Sequence, residues 1–308
     1  MTFRRLQRFL LLIFITLPLT GCLFRSHKVQ PRQVSKAPLK TATQAELIEY
    51  VNTQATRVQS MQATVDIDTS VGGVKKGKVT DYKEIRGYVL ARKPAMLRMI
   101  GLMPIVRNRA FDMVSDGQVF KLWIPPKNRF VVGRNDVETH NIQQPLENLR
   151  PQQIYDALLL PPLDEKNEIA VVENSTEIVQ DAKGHNLEQP DYELDVIRNG
   201  DHGWFLARKI LFSRTDLLPH RQLIYNPRGD LVSDVHYESY EDFSGANFPS
   251  LIEIWRPVEE YDIALKIVKL QLNEPLSNDK FLLEQPPGAQ VVRLDQPQPQ
   301  TPPGSVSK

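Results

Sequence analysis

Met61-Gln62-Ala63-Thr64-Val65-Asp66-Ile67-Asp68 decides the architecture of this chain. Apolar residues at 61, 63, 65 and 67 alternate with polar ones, the period of a strand with one face in a core and the other in water. Just upstream the period is different. Thr43-Gln44-Ala45-Glu46 fits a capping box, and Leu47, Tyr50, Val51, Ala55 and Val58 then recur at helical spacing. A helix therefore leads directly into a half-buried strand. Downstream, strand-like runs dominate at 85–91, 96–100, 110–114, 119–124, 129–132, 192–197, 207–212, 222–225, 231–240, 251–255 and 261–272. Asp116-Gly117 and the stretch 226–230 supply hairpin turns between them. One run breaks the rule: 154–160, with Pro151 before it and Pro161-Pro162 after it, reads as a short second helix. In the last strand the apolar register slips from Ile263, Leu265 and Ile267 to Val268, Leu270 and Leu272, which predicts a bulge or burial on both faces. The fold class expected is mainly β: one large curved antiparallel sheet whose concave side is covered by two helices.

The ends of the chain read differently. Arg4, Arg5 and Arg8 precede an apolar run from Phe9 to Leu19, the layout of a cleavable signal peptide over 1–21. The run falls short of the roughly 20 residues a membrane-spanning helix needs. Leu19-Thr20-Gly21-Cys22 then resembles a bacterial lipobox, which implies diacylation of the Cys22 sulfur and cleavage before it. Cys22 is the only cysteine of the chain, and a bare thiol would be a liability in an oxidising compartment. Residues 22–42 contain Pro31 and Pro38, lack periodicity and carry Arg25, Lys28, Arg32, Lys36 and Lys40 with no acidic residue. They read as a basic tether, resting on anionic headgroups or simply solvated. Residues 285–308 hold six prolines and little apolar content, the composition of a disordered tail. Between them, 43–284 is expected to be one domain.

Composition excludes some functions. Removing the three leader arginines reduces 38 basic residues to 35 against 37 acidic, a net charge of −2, with no basic excess for nucleic acid. Gly72-Gly73-Val74-Lys75-Lys76-Gly77-Lys78-Val79 nearly spells a phosphate-binding loop, but Val79 stands where the magnesium-binding hydroxyl is needed and the segment joins two strands. The six histidines, among them His202 and His236, show no metal-ligand spacing, and no nucleophile elbow is present. The expectation is a non-enzyme without cofactor or metal. Glu238, Glu241 and Asp242 beside Tyr237, Tyr240 and Phe243 form either a partner-docking edge or a charged strand end that resists pairing.

A family resemblance sharpens this. Gly87-Tyr88-Val89-Leu90-Ala91-Arg92-Lys93-Pro94, Ser115-Asp116-Gly117 and Leu122-Trp123-Ile124-Pro125 resemble the core of the outer-membrane lipoprotein carrier and receptor family, LolA/LolB-like. Asn273-Glu274-Pro275-Leu276, ahead of Phe281 and Pro286-Pro287-Gly288, is similar to that family as well. The resemblance implies an open, incomplete β-barrel with helices as a lid over an apolar cavity that holds acyl chains. It also implies a functional arginine directly before the proline. Here Lys93 occupies that position, with Arg92 one residue earlier and, by strand alternation, on the opposite face; both are gating candidates. The receptor's protruding apolar loop matches Gly101-Leu102-Met103-Pro104, making Leu102 and Met103 the membrane or transfer residues. Extra length at 164–189 and in the tail, with the lipobox, suggests a third branch.

The function expected is an envelope lipoprotein, anchored by its lipid to the periplasmic face of the outer membrane. It would bind acyl chains or lipoproteins and assist their transfer or insertion, with possible envelope protein partners. Val65, Ile67, Val89 and Met99 are the residues expected to line the cavity. A non-catalytic scaffold of an envelope complex is the alternative, favoured if side chains fill the cavity.

Overall fold

The computed structural model describes residues 33–34 (backbone), 37–73, 77–136, 150–180, 184–243 and 245–294. The leader, Cys22, most of the tether, the loop residues 74–76 and the tail beyond 294 lie outside the described residues. The chain divides into two compact units, Met1–Ser35 with Ile178–Glu188, and Lys36–Glu177 with Gln189–Lys308. In the smaller unit, β1 (Gln33–Val34) runs parallel to Leu187–Glu188.

The larger unit follows the expected alternation of periods. Helix α1 (Gln44–Arg57) begins at Thr43, whose hydroxyl accepts from the Glu46 amide while the Glu46 carboxylate accepts from the Thr43 amide, the complete capping box. Strands β2 (Ser60–Gly73), β3 (Lys78–Arg92), β4 (Met96–Leu102), β5 (Arg109–Ser115), β6 (Val119–Ile124) and β7 (Arg129–Arg134) then form an antiparallel meander. Helix α2 (Pro151–Leu158) interrupts it. The chain resumes with β8 (Glu168–Gln180), β9 (Asn186–Gly200), β10 (Gly203–Ser213), β11 (Pro219–Tyr225), β12 (Leu231–Phe243), β13 (Ala246–Arg256) and β14 (Tyr261–Leu272), and ends in β15 (Gln290–Arg293).

These strands join in one open sheet, ordered β9-β10-β11-β12-β13-β14-β2-β3-β4-β5-β6-β7-β15, with β8 paired to β9. The two meanders meet where β14 lies antiparallel to β2, Met61 opposite Leu272 and Tyr261 opposite Val71. The slip in the last strand is a bulge: the pairing shifts between Ile267 and Lys269. One face of the sheet carries the main core, in which Val65, Val89, Leu97, Ile252 and Leu265 are fully buried and α2 contributes Ile154, Ala157 and Leu158. Leu47 and Val51 of α1 pack instead against Leu194, Ile210 and Phe212 of β9 and β10. Among the described residues no helix is long and apolar enough to cross a membrane.

Two expectations change. Residues 285–308 are not uniformly a disordered tail. Gln290–Arg293 pairs in parallel with β7, and Val292 and Leu294 enter the main core, because β7 offers an unpaired edge and this stretch holds enough apolar residues to use it. The tether does not run free to residue 42: the Lys40 amide donates to the Arg214 carbonyl at 2.7 Å and Ala42 packs under α1. The extra length at 164–189 holds the long strand β8, whose Ile169, Val171 and Ile178 lie on the exposed side, so apolar residues do not mark its inward face.

Candidate functional site

An apolar cavity of about 210 Å³ lies between the inner face of β2–β6 and helix α2. Ile67, Ile85, Met99, Phe111, Met113 and Leu122 line it from the strands, and Ile154 closes it from the helix. Thr69 and Lys83 are the polar exceptions. Two glycines make the geometry feasible. Gly87 and Gly101 face each other across β3 and β4 on the buried side. A Cβ on Gly101 would stand 2.4 Å from the Phe111 ring and 2.7 Å from Ile85 Cδ1, and one on Gly87 would stand 2.5 Å from Ile67 Cδ1. Their missing side chains let Ile67, Ile85 and Phe111 fold across the sheet and form the cavity wall.

Of the four residues expected there, Ile67 and Met99 line the cavity. Val65 and Val89 are fully buried in the same core without bordering it. Strand alternation selected the right face, but it carries no information on which inward side chains leave room. The signal that could have found the place is the pair of inward glycines.

Helix α2 is fastened at its ends. After α2, Arg208 of β10 donates to the carbonyls of Pro161 at 2.8 Å and Pro162 at 3.2 Å. Before it, the Arg150 guanidinium lies 5.4 Å from the centre of the Phe120 ring. Within α2, Gln152 donates to Asp156 at 2.8 Å. Burial pushes the Asp156 carboxyl up to about 6, against the opposing pull of that hydrogen bond and of Arg208 and Arg198.

The gating candidates separate as alternation requires. Arg92 points to the outer face, donating to the Leu276 carbonyl and to Asn278 Oδ1 at 2.6 Å, with its guanidinium 5.1 Å from the Phe281 ring centre. It holds the C-terminal segment. Lys93 turns to the helical side and donates from Nζ to the carbonyl of Ala55 in α1; burial draws its ammonium below the usual lysine range. Lys93 also lines a small cleft of about 50 Å³ between α1 and the end of α2, with Tyr50, Leu158, Tyr237 and Phe248. A single lysine thus ties the β3–β4 turn to a covering helix.

The β4–β5 loop projects apolar side chains, though not chiefly those named from sequence. Leu102 pairs with Arg109 at the end of β4 and, like Met103, is half-buried. The tip is Ile105, 98% exposed, followed by Val106 at 60%. Ile105 and Arg107 both adopt positive φ, 69° and 52°, a conformation that branched side chains avoid. The turn is held by the Met103 amide on the Asn108 carbonyl at 2.7 Å and the Arg107 amide on the Met103 carbonyl at 3.1 Å.

Two solved structures align with most of this chain. A LolA superfamily protein from Nitrosomonas europaea aligns with a TM-score of 0.48 at 13% identity, over 79% of this chain and 99% of its own. A DUF1329 family protein from Desulfovibrio piger aligns with a TM-score of 0.48 at 15% identity, over 78% of this chain and 95% of its own. No protein-family model and no curated protein matches the sequence.

Proposed function

We propose that this chain is a membrane-tethered binding protein for acyl chains, those of lipoproteins above all, and that it assists their transfer or insertion at the outer membrane. The observation that carries the proposal is the apolar cavity between β2–β6 and α2, lined almost wholly by aliphatic and aromatic side chains. Each methylene moved there from water contributes about 0.8 kcal/mol. At about 210 Å³ the cavity is smaller than the roughly 300 Å³ at which ligand pockets begin, so an acyl chain enters by displacing α2 rather than by filling an open hole. In this reading Lys93 fastens α1 over the sheet, Arg92 holds the outer C-terminal segment, and the Ile105–Val106 tip meets the membrane at transfer. Cys22 supplies the anchor on the periplasmic face.

The test is titration of the full chain with a fluorescent fatty acid. Saturable binding is expected, and Ile85→Glu should abolish it while the circular dichroism spectrum stays unchanged, because Ile85 is only part-buried at the cavity wall. A folded wild-type chain without saturable binding would favour the scaffold alternative.

A further inference from the structure

Away from the cavity, three side chains from three strands converge on one point: Glu177 of β8, Asp191 of β9 and His220 of β11. One ligand atom from each lies within 4.8 Å of the other two. His220 Nε2 stands 3.2 Å from Asp191 Oδ2, and His220 Nδ1 stands 3.8 Å from Glu177 Oε2. Asp191 is completely buried, yet its Oδ2 accepts no hydrogen bond, and His220 Nε2 likewise makes none. A buried carboxylate oxygen without a donor is costly, and such atoms call for a ligand or a bound ion.

The other ends of the two acids are already held. Gln189 Nε2 donates to Asp191 Oδ1 at 3.2 Å, and Arg221 Nη1 donates to Glu177 Oε1 at 2.5 Å. Arg221 is itself fixed by two hydrogen bonds to Asp234, at 2.9 and 2.7 Å, and His236 lies 3.3 Å from that same carboxylate. One oxygen of each acid is therefore oriented by a neighbour while the second faces the imidazole, the arrangement of metal ligands steered by an outer shell. Glu177 and Asp234 share the Arg221 guanidinium, while Asp191 faces the His220 imidazole.

We infer that Glu177, Asp191 and His220 form a binding site for a divalent transition cation of the zinc class, clamping β8, β9 and β11. One imidazole nitrogen with two carboxylate oxygens suits zinc better than calcium or magnesium, which prefer all-oxygen shells. Tetrahedral zinc with bonds of about 2.0–2.2 Å sets its ligand atoms roughly 3.3–3.6 Å apart. The 3.2 Å between Nε2 and Oδ2 lies just under that range, and Glu177, whose Oε2 stands 3.8 Å from Nδ1, has to turn its carboxylate toward the Nε2 side to complete the set. No sequence spacing announces the site, since its members are 14 and 29 residues apart and meet only through the sheet.

The test uses the full chain in detergent, stripped with a chelator and titrated calorimetrically with zinc chloride alone at pH 7.5. One equivalent should bind with micromolar or tighter affinity and raise the melting temperature. His220→Ala and Asp191→Asn should each weaken binding at least tenfold and remove the thermal shift, while His202→Ala, at an exposed turn, should change neither. Asp191→Asn keeps the side-chain shape and removes a buried charge, so it is expected to fold. Absence of stoichiometric binding to the wild type, or binding that survives both substitutions at full strength, would overturn the inference. In either case the cluster is a hydrogen-bonded structural group.

Discussion

Ile154→Ala separates a lid from an ordinary core helix, because it should move stability and ligand affinity in opposite directions. Ile154 is 1% exposed and is the residue by which α2 closes the apolar cavity. Truncating a buried isoleucine costs about 2–5 kcal/mol. The low end applies here, since one side of the side chain already borders free space and the loss of contacts is smaller. A destabilisation of about 2 kcal/mol, read as a shift in the urea midpoint with unchanged slope, is therefore expected. If those contacts hold α2 closed, removing them raises the open population by the same energy, and apparent affinity for a fluorescent fatty acid rises by up to about 30-fold. A variant that loses stability and also binds the probe more weakly, or with unchanged affinity, would show that α2 is core and not a gate.

Other perturbations test separate parts. Cys22→Ser should abolish metabolic labelling by a radioactive fatty acid, and a labelled variant would remove the lipoprotein reading. Ile105→Ser with Val106→Ser should slow transfer of bound probe to liposomes while leaving its affinity unchanged; an equal loss of both would place the tip in the binding step. Gly101→Val forces the Phe111 ring and Ile85 from positions 2.4 and 2.7 Å from a new Cβ, and should abolish probe binding in a folded protein as those groups refill the cavity. Asp156 has a folded value of about 6, above the ordinary 3.8, so its protonated form is the one the fold favours. Its destabilising effect is absent below about pH 4, grows as pH rises through 6, and reaches at most about 3 kcal/mol above that. Asp156→Asn should flatten this part of the pH–stability curve measured by urea unfolding.

Most of the architecture was legible because antiparallel strands with one wet face write their period into the chain. The Met61 strand, the Thr43 capping box and the bulge after Ile267 all follow from local pattern. What escaped depends on partners distant in sequence. Gln290–Arg293 becomes a strand only because β7 has a free edge, and β8 has no legible pattern because Ile169, Val171 and Ile178 sit on its exposed face. At the site, alternation chose the inward face, but the void depends on two glycines that meet across β3 and β4. The loop was visible as an apolar stretch, yet only its backbone turn shows that Ile105 and Val106 form the summit.

The junction of β2 with β14 places residues 61 and 272 side by side in the centre of the sheet. No part of the main core is complete until the ribosome has delivered nearly the entire domain, and the closing contacts carry a large loop-entropy cost. High contact order makes folding slow compared with a local helical bundle of equal size. For a chain led by an export signal such as that expected at 1–21, this delay is useful: the polypeptide stays threadable while it is translocated, and its sheet zips only once both halves have arrived on the far side.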